Sequence, residues 1–277
     1  MKGKIYSVTV TFNPSLQDHK LEKQLRFLLK NGIVPFVIDN NSKNFEEVNE
    51  MLLSLSTHIT VTKLDKNYGI GKALNIGITE CLKREECEWI MTLDQDTYFD
   101  DDAYLPIIKA VEEYSPTNIG LLGLNYTKKR FTKTCLANDS GYPEPTDFVI
   151  TSGSLAKREV YELIKYDERL FMYFLDNDLC IRMLNAGYGI MILAKPCIMH
   201  SEGERVLKDK DEYFVLDPWK LFFVGRNSII MYIRYFTIRP IFYLVFVLLE
   251  NIFARYNIRN SIFFAVKGIL AGLFKNI

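Results

Sequence analysis

Strand-like and helix-like segments alternate along the first ninety residues, and that order constrains the fold more than any other feature of the chain. "IYSVTVTF" (5–12) is rich in β-branched and aromatic residues. It leads into a segment with Leu21, Leu25, Leu28 and Leu29 at helical spacing, closed by Gly32 where a C-terminal cap belongs. "IVPFVI" (33–38) predicts a second strand that ends in the polar turn "DNNS". A helix over 45–55, a strand over 58–62, a helix over 73–83 and a strand over 88–93 follow. Such an order predicts an α/β fold, a mainly parallel sheet covered by helices on both faces. In open sheets of this class ligands sit beyond the carboxyl ends of the strands. Asn13, the Asp39 turn, Asn67 and the pair Asp94/Asp96 each follow a strand, so they are expected along one edge.

After residue 120 the alternation loosens. Residues 125–148 read as a long irregular connection, a kind of segment that is often functional. Then come "VITSGSL", a helix near 157–164, a helix ending at Gly187 and a strand, "YGIMIL" (188–193), leading to His200. The formal net charge of zero hides an asymmetry. From Trp219 onward there are eight Lys or Arg and one acidic residue, so that part carries +7 and the rest −7. The chain is therefore read as two parts, an α/β domain, 1–215, followed by an apolar, basic helical region, 216–277. The longest uncharged run in that region, 240–249, is ten residues, against the ~20 needed to span a bilayer. Apolar helices studded with Arg and Lys suit an anionic membrane surface, and a homo-oligomer contact is compatible with that. Five cysteines without a C-x-x-C pair argue against a zinc site or a disulfide framework. With no secretion signal at the N-terminus, the expectation is a cytoplasmic protein, peripheral on the inner face of the cell membrane, with no nucleic-acid partner.

Four groups carry chemistry. Asp94 and Asp96, one residue apart at the end of a strand, suit a hard divalent cation shared with a diphosphate, Mn²⁺ or Mg²⁺; a solvated turn is the competing reading. "LDKNYGIGKALNIGI" (64–78) offers glycines that let backbone approach a ligand, a helix N-terminus and Lys72 near phosphate, or else a plain glycine turn. In "YFLDNDLCIRM" (173–183), Asp176 and Asp178 sit two apart, about 200° around a helix. One can face a cleft as a general base while the other pairs with a cation such as Arg182; helix-dipole stabilisation is the alternative. His200, after the last strand, can complete a metal site begun by Asp96.

The set "VTVTFNP", "VIDNNS", "NYGIGKALNIGI", "LDQD", "ITSGSL", "DERLFMYFLDNDLCIR", "AGY" and "MH", in this order over about residues 5–200, resembles an inverting, family 2 glycosyltransferase of the GT-A type, in its rhamnosyltransferase-like branch. The resemblance implies a Rossmann-like GT-A fold with a C-terminal helical extension. Thr11, Asn13 and Asp39 would hold the nucleotide base, Asn67 and Lys72 the nucleotide and its phosphates. Asp94 would serve ribose and metal, Asp96 and His200 the metal, and Ser152 and Gly153 the acceptor side. Asp176 takes the place of the catalytic base. Leu175 stands where the family has glutamate, so Asp178 is a second candidate. Arg226 and Asn227 are similar to a family pair near the donor phosphates. The implied reaction moves rhamnose or another hexose from a nucleoside-diphosphate sugar, dTDP-rhamnose first and a UDP-hexose second, to a saccharide acceptor. That acceptor can be lipid-linked, in bacterial surface polysaccharide assembly. A sugar-phosphate nucleotidylyltransferase and a non-catalytic membrane-surface scaffold with a relic nucleotide site are the alternatives. The first would want a "G-x-G-T-R" stretch after strand one, where this chain has "TFNPSLQDHK".

Overall fold

The computed structural model describes residues 4–127, 142–199, 204–208 and 211–274. It divides into two compact units, one of residues 1–168 and 179–201, the other of 169–178 and 202–277.

The first unit is built on one sheet. Strands β1 (Lys4–Thr11), β2 (Val34–Asp39), β3 (Thr60–Lys63) and β4 (Cys87–Asp94) are mutually parallel in the order β3-β2-β1-β4. Beyond β4 the order continues through β8 (Ser154–Lys157), β6 (Ile119–Thr127) and β9 (Gly189–Met199). Here β8 runs antiparallel between β4 and β6, and β6 and β9 are parallel. Two short strands, β5 (Tyr98–Phe99) and β7 (Glu144–Pro145), pair antiparallel with β9.

Alternating side chains of these strands feed two helical layers. Ile5, Val37, Trp89, Met91 and Leu93 join one core with α1 (Lys20–Lys30), α2 (Phe45–Leu55) and α4 (Tyr104–Tyr114). The Leu21, Leu25 and Leu28 stripe of α1 is fully buried there, each side chain contributing roughly 1.5–3 kcal/mol by leaving water. Val8 and Ile38 point the other way, against α3 (Ile70–Leu82), which together with α5 (Arg158–Leu163) covers the second face. Gly77 permits that approach, since a Cβ there would lie 2.3 Å from Val8 Cγ1. Helix α1 ends as its sequence predicts, with Gly32 at φ 70° and the Ile33 N–H returning to the Leu28 carbonyl. Cys81, Cys87, Cys180 and Cys197 are buried free thiols, and burial pushes Cys87 and Cys197 up to about 12.

The second unit comprises the first part of α6 (Leu175–Asn185), a hairpin of β10 (Glu204–Lys208) and β11 (Asp211–Val215), and helices α7 (Pro218–Tyr235), α8 (Arg239–Phe253) and α9 (Ile258–Phe274). Its core gathers Leu216, Leu221, Val224, Leu244, Val247 and Ala265. Helices α7 and α9 meet backbone to backbone: a Cβ on Gly268 would lie 2.1 Å from the Phe222 carbonyl oxygen, and one on Gly225 2.7 Å from that of Ala265. Among the described residues no helix is long and apolar enough to cross a membrane.

Candidate functional site: the carboxyl edge of the parallel strands

The exits of β1, β2 and β3 are stitched to one another by side chains. Thr11 Oγ1 donates to Asp39 Oδ2 at 3.0 Å, and both residues are fully buried. The Asp39 carboxylate also accepts from the Ser42 N–H at 2.8 Å and the Ser42 hydroxyl at 2.5 Å. Asn13 donates its N–H to Ser42 Oγ and accepts from the Lys43 N–H, each at 2.8 Å. Buried Asn40 donates its backbone N–H to the Thr11 carbonyl and its amide to Asn67 Oδ1 at 2.9 Å, and accepts from the Tyr68 N–H. Asn67 Oδ1 takes the Gly69 N–H as well. Thr11 and Asp39 therefore anchor the ledge from inside, and it presents Asn13 and Asn41, exposed and at φ 47° and 68°, to its surroundings. Asparagine tolerates that left-handed region better than most side chains.

The acidic run that follows β4 is two separate features. Asp94 and Asp96, both half-buried, sit on a β-turn closed by the Thr97 N–H on the Asp94 carbonyl at 3.2 Å. Asp100, Asp101 and Asp102 lie beyond β5, where Asp102 pairs with Lys195 and is held below the usual carboxylate range by it. Burial, with Asp102 beside it, pushes Asp100 up. The turn itself is clasped by uncharged groups. Gln95 exchanges two hydrogen bonds with the backbone of Phe12, accepting its N–H at 2.7 Å and donating to its carbonyl at 3.3 Å. Ser152 Oγ accepts the Asp94 N–H at 2.9 Å and shares a hydrogen bond with Thr97 Oγ1 at 2.7 Å. Gln24 of α1 donates to the carbonyls of Asp94 and Thr97.

Two expectations change here. Ser152 and Gly153, read for the acceptor side, are buried beneath the Asp94 turn. Gly153 takes φ 82° with its N–H on the Thr92 carbonyl, and a Cβ there would lie 2.6 Å from Ile198 Cδ1. They support the turn and line no surface. Likewise Gly71 and Gly77 are filled by the protein itself: Gly71 lies under the Asp167 carbonyl, 3.2 Å from where its Cβ would be, and Gly77 under Val8. Of the three glycines in this stretch, Gly69, at φ 84° and ψ 170°, takes a conformation that glycine alone adopts readily. It opens α3. Lys72, one turn in, lies 3.6 Å from Glu168 and 4.7 Å from the Tyr68 ring centroid.

In the second unit, α7 organises the segment that carries the acid pair. Phe171, Tyr173 and Phe174 all have positive φ, strained for such side chains. Fully buried Asn227 holds them by donating to the carbonyls of Leu170, Met172 and Tyr173 at 2.7, 2.7 and 3.0 Å. Its neighbour Arg226 donates to the Arg169 carbonyl at 2.5 Å. Asn227, read from the sequence near donor phosphates, is thus occupied with backbone. Asp178 is 1% exposed; Tyr235 donates its hydroxyl to it at 2.6 Å, and Arg234 lies at 3.4 Å. Asp176, on the other side of the same turn, is half-buried and accepts the Asn177 N–H at 3.0 Å. Asp178→Asn is expected to destabilise this unit by roughly 1.5–3 kcal/mol, the range for a hydrogen bond to a charged group, measured as a shift in urea midpoint at unchanged slope. His200 lies outside the described residues.

Sequence reasoning missed Gln24, Asn40, Ser42 and Gln95. One signal was available: Gln24 interrupts the Leu21, Leu25, Leu28 stripe at a position facing the core, where a polar side chain needs partners.

The pattern of glycosyl transferase family 2 matches residues 16–164. The dTDP-rhamnosyl transferase RfbF of Shigella flexneri is 26% identical over 220 residues, 75% of this chain and 72% of that protein. Among solved structures, TarS 1–349 of S. aureus in complex with UDP-GlcNAc matches 83% of this chain and 67% of its own with a TM-score of 0.54 at 16% identity. GalNAc-T7 with UDP, GalNAc and Mn²⁺ matches 72% of this chain with a TM-score of 0.58 at 13% identity, and this chain spans 44% of it. At those identities the two structures speak for the fold alone, which is the GT-A fold.

Proposed function

The chain belongs to glycosyl transferase family 2 and is a rhamnosyltransferase-like glycosyltransferase, and from that premise we propose a metal-dependent, inverting transfer of a hexose, rhamnose first, from a nucleoside-diphosphate sugar to a saccharide acceptor in bacterial surface polysaccharide assembly. Family membership decides against the nucleotidylyltransferase alternative. The observation that carries the reading is the ledge itself: the exits of four parallel strands, hydrogen-bonded into one edge that bears Asn13, Asn67, Asp94 and Asp96. Ligands of open α/β sheets bind at that edge. RfbF supports dTDP-rhamnose as the donor to try first, and the UDP-GlcNAc complex of TarS supports a UDP-hexose as the second.

The donor set of the turn fits a hard cation. Two half-buried carboxylates one residue apart are what Mg²⁺ or Mn²⁺ takes alongside substrate phosphates and water. Among the described residues no three His, Cys, Asp or Glu form a closed cage, a count that leaves out His200, the third assigned ligand. When bound, the cation supplies positive charge against the departing diphosphate. Asn13 and Asn67 would orient the nucleotide, with Thr11 and Asp39 holding their loops from within. Lys72 adds a cation that can leave Glu168 for a phosphate. Asp176 would take the proton of the acceptor hydroxyl as that oxygen attacks the anomeric carbon. One displacement then inverts the configuration. Asp178, engaged by Tyr235 and Arg234, is the weaker candidate for that role. The reading is tested by offering a panel of nucleotide sugars with Mn²⁺ and a lipid-linked saccharide acceptor and following release of nucleoside diphosphate. dTDP-rhamnose turnover with an inverted product anomer by NMR is expected; release of nucleoside diphosphate from none of them overturns it.

The helical region is proposed to rest on the inner face of an anionic membrane, where a lipid-linked acceptor would be found. Phe242, Val245, Phe246, Leu249 and Phe253 form an exposed, uncharged stripe along α8, and α9 adds Phe263, Val266 and Leu270. Patches of that kind are rare on monomeric soluble proteins. Exposed Arg239, Arg255, Arg259 and Lys267 supply the complementary charge, each worth about 1 kcal/mol near an anionic surface. The glycine-lined approach of α7 to α9 is a packing mode common among helices in lipid. The protein is expected to float with phosphatidylglycerol vesicles and to remain behind with phosphatidylcholine or in high salt. Phe242→Asp with Leu249→Asp should lower the bound fraction about tenfold or more, given the apolar area lost. A protein that ignores both vesicles and runs as a dimer assigns the stripe to a second copy instead.

A further inference from the structure

Gln24 lies on α1, seventy residues from Asp94 in sequence, and is fully buried. Its side-chain amide makes three hydrogen bonds, with both N–H groups engaged. Nε2 donates to the Asp94 carbonyl at 2.8 Å and the Thr97 carbonyl at 2.5 Å, and Oε1 accepts from Thr9 Oγ1 at 2.8 Å. Thr9 belongs to β1, so the two ends of the acidic turn are tied through one glutamine to the strand that opens the ledge. Gln95, the residue between the two acids, ties the top of the same turn to Phe12, just past the end of β1. Ser152 closes the third side. A β-turn left to itself would let Asp94 and Asp96 sample many separations. Hydrogen bonds on three sides hold the backbone that carries both side chains.

We infer that Gln24 and Gln95 are positioning residues for the divalent cation, fixing the two carboxylates at a separation that suits Mn²⁺ or Mg²⁺ and coupling that turn to the loop after β1. This rests on the metal reading of Asp94 and Asp96 above. Magnesium and manganese demand near-ideal placement of few protein ligands, so groups that orient those ligands matter nearly as much as the ligands. Removing such an outer partner commonly costs 10–100-fold in metal affinity. Neither glutamine is placed to touch the ion; each acts through the turn.

The test is Mn²⁺ binding in the presence of dTDP, read from the free Mn²⁺ signal in electron paramagnetic resonance, for four full-length proteins: the native chain, Asp96→Asn, Gln24→Met and Gln95→Ala. Melting temperature is recorded for each. The expected result is the largest weakening of Mn²⁺ affinity in Asp96→Asn and a roughly 10–100-fold weaker Mn²⁺ affinity in both glutamine variants. Transfer by the glutamine variants should recover toward the native kcat as Mn²⁺ is raised. Gln95 is not in the core, so Gln95→Ala keeps the question open to decision if Gln24→Met fails to fold. Native Mn²⁺ affinity in the glutamine variants, with Asp96→Asn defective, overturns this inference alone and reduces Gln24 to a packing role visible only in the melting temperature. Native affinity in Asp96→Asn overturns the metal reading, and the inference with it.

Discussion

Asp176→Asn is expected to lower kcat for sugar transfer by about 10²–10⁴-fold, the usual contribution of a positioned general base, with nucleotide affinity and melting temperature unchanged. Asparagine keeps the shape and can still accept the Asn177 N–H but cannot take a proton. A packing defect would instead lower the melting temperature along with kcat. Asp178 makes the contrast within one helical turn. It is buried and engaged by Tyr235 and Arg234, so its replacement should show first in stability. A full-rate Asp176→Asn enzyme would remove Asp176 from the reaction and turn attention to Asp178.

The second large effect is expected at Asp96. On the proposed metal reading, its replacement by Asn would remove one anionic ligand from the turn and with it several kcal/mol of charge stabilisation at the leaving diphosphate, a loss on the order of 10³-fold in kcat/KM. Raising Mn²⁺ should restore part of it, because Asp94 remains. The fold should be indifferent, since the turn is held through the backbone and through Gln24, Gln95 and Ser152. Activity measured across a Mn²⁺ series separates this outcome from simple misfolding, which no metal concentration would repair.

Much of the first unit was legible in the sequence, because local pattern and tertiary role agree there. Leu21, Leu25 and Leu28 are spaced for a helix and buried as one stripe; "EWIMTL" reads as a strand and β4 is the strand on which the acidic turn sits. Convergence of four strand exits followed from topology, which needs only the order of elements. What the sequence hid is long-range pairing. Nothing local announces that β8 runs antiparallel between β4 and β6, or that Gln24 reaches the carbonyls of residues seventy and seventy-three positions away. Of the two readings left open for the glycine stretch, Gly71 and Gly77 take the structural one: they serve close packing of α3, which leaves the same mark in a sequence as a ligand-binding turn. The acceptor-side place that the resemblance implied for Ser152 met the same limit: the residue is buried and bonded to the Asp94 N–H, a pairing across 58 positions that no local pattern announces. The segment 171–174 carried no sequence warning at all, since its strain is sustained by Asn227 on a distant helix.

The central claim is that the turn of Asp94 and Asp96 joins a cation and a nucleoside diphosphate at the edge of the sheet. Calorimetric titration of dTDP into the native chain and into Asp96→Asn, each with and without Mn²⁺, tests it most directly. Saturable binding that requires Mn²⁺ in the native chain and disappears in Asp96→Asn is the predicted result. Equal affinity for dTDP in all four titrations, or no heat in any, would contradict it.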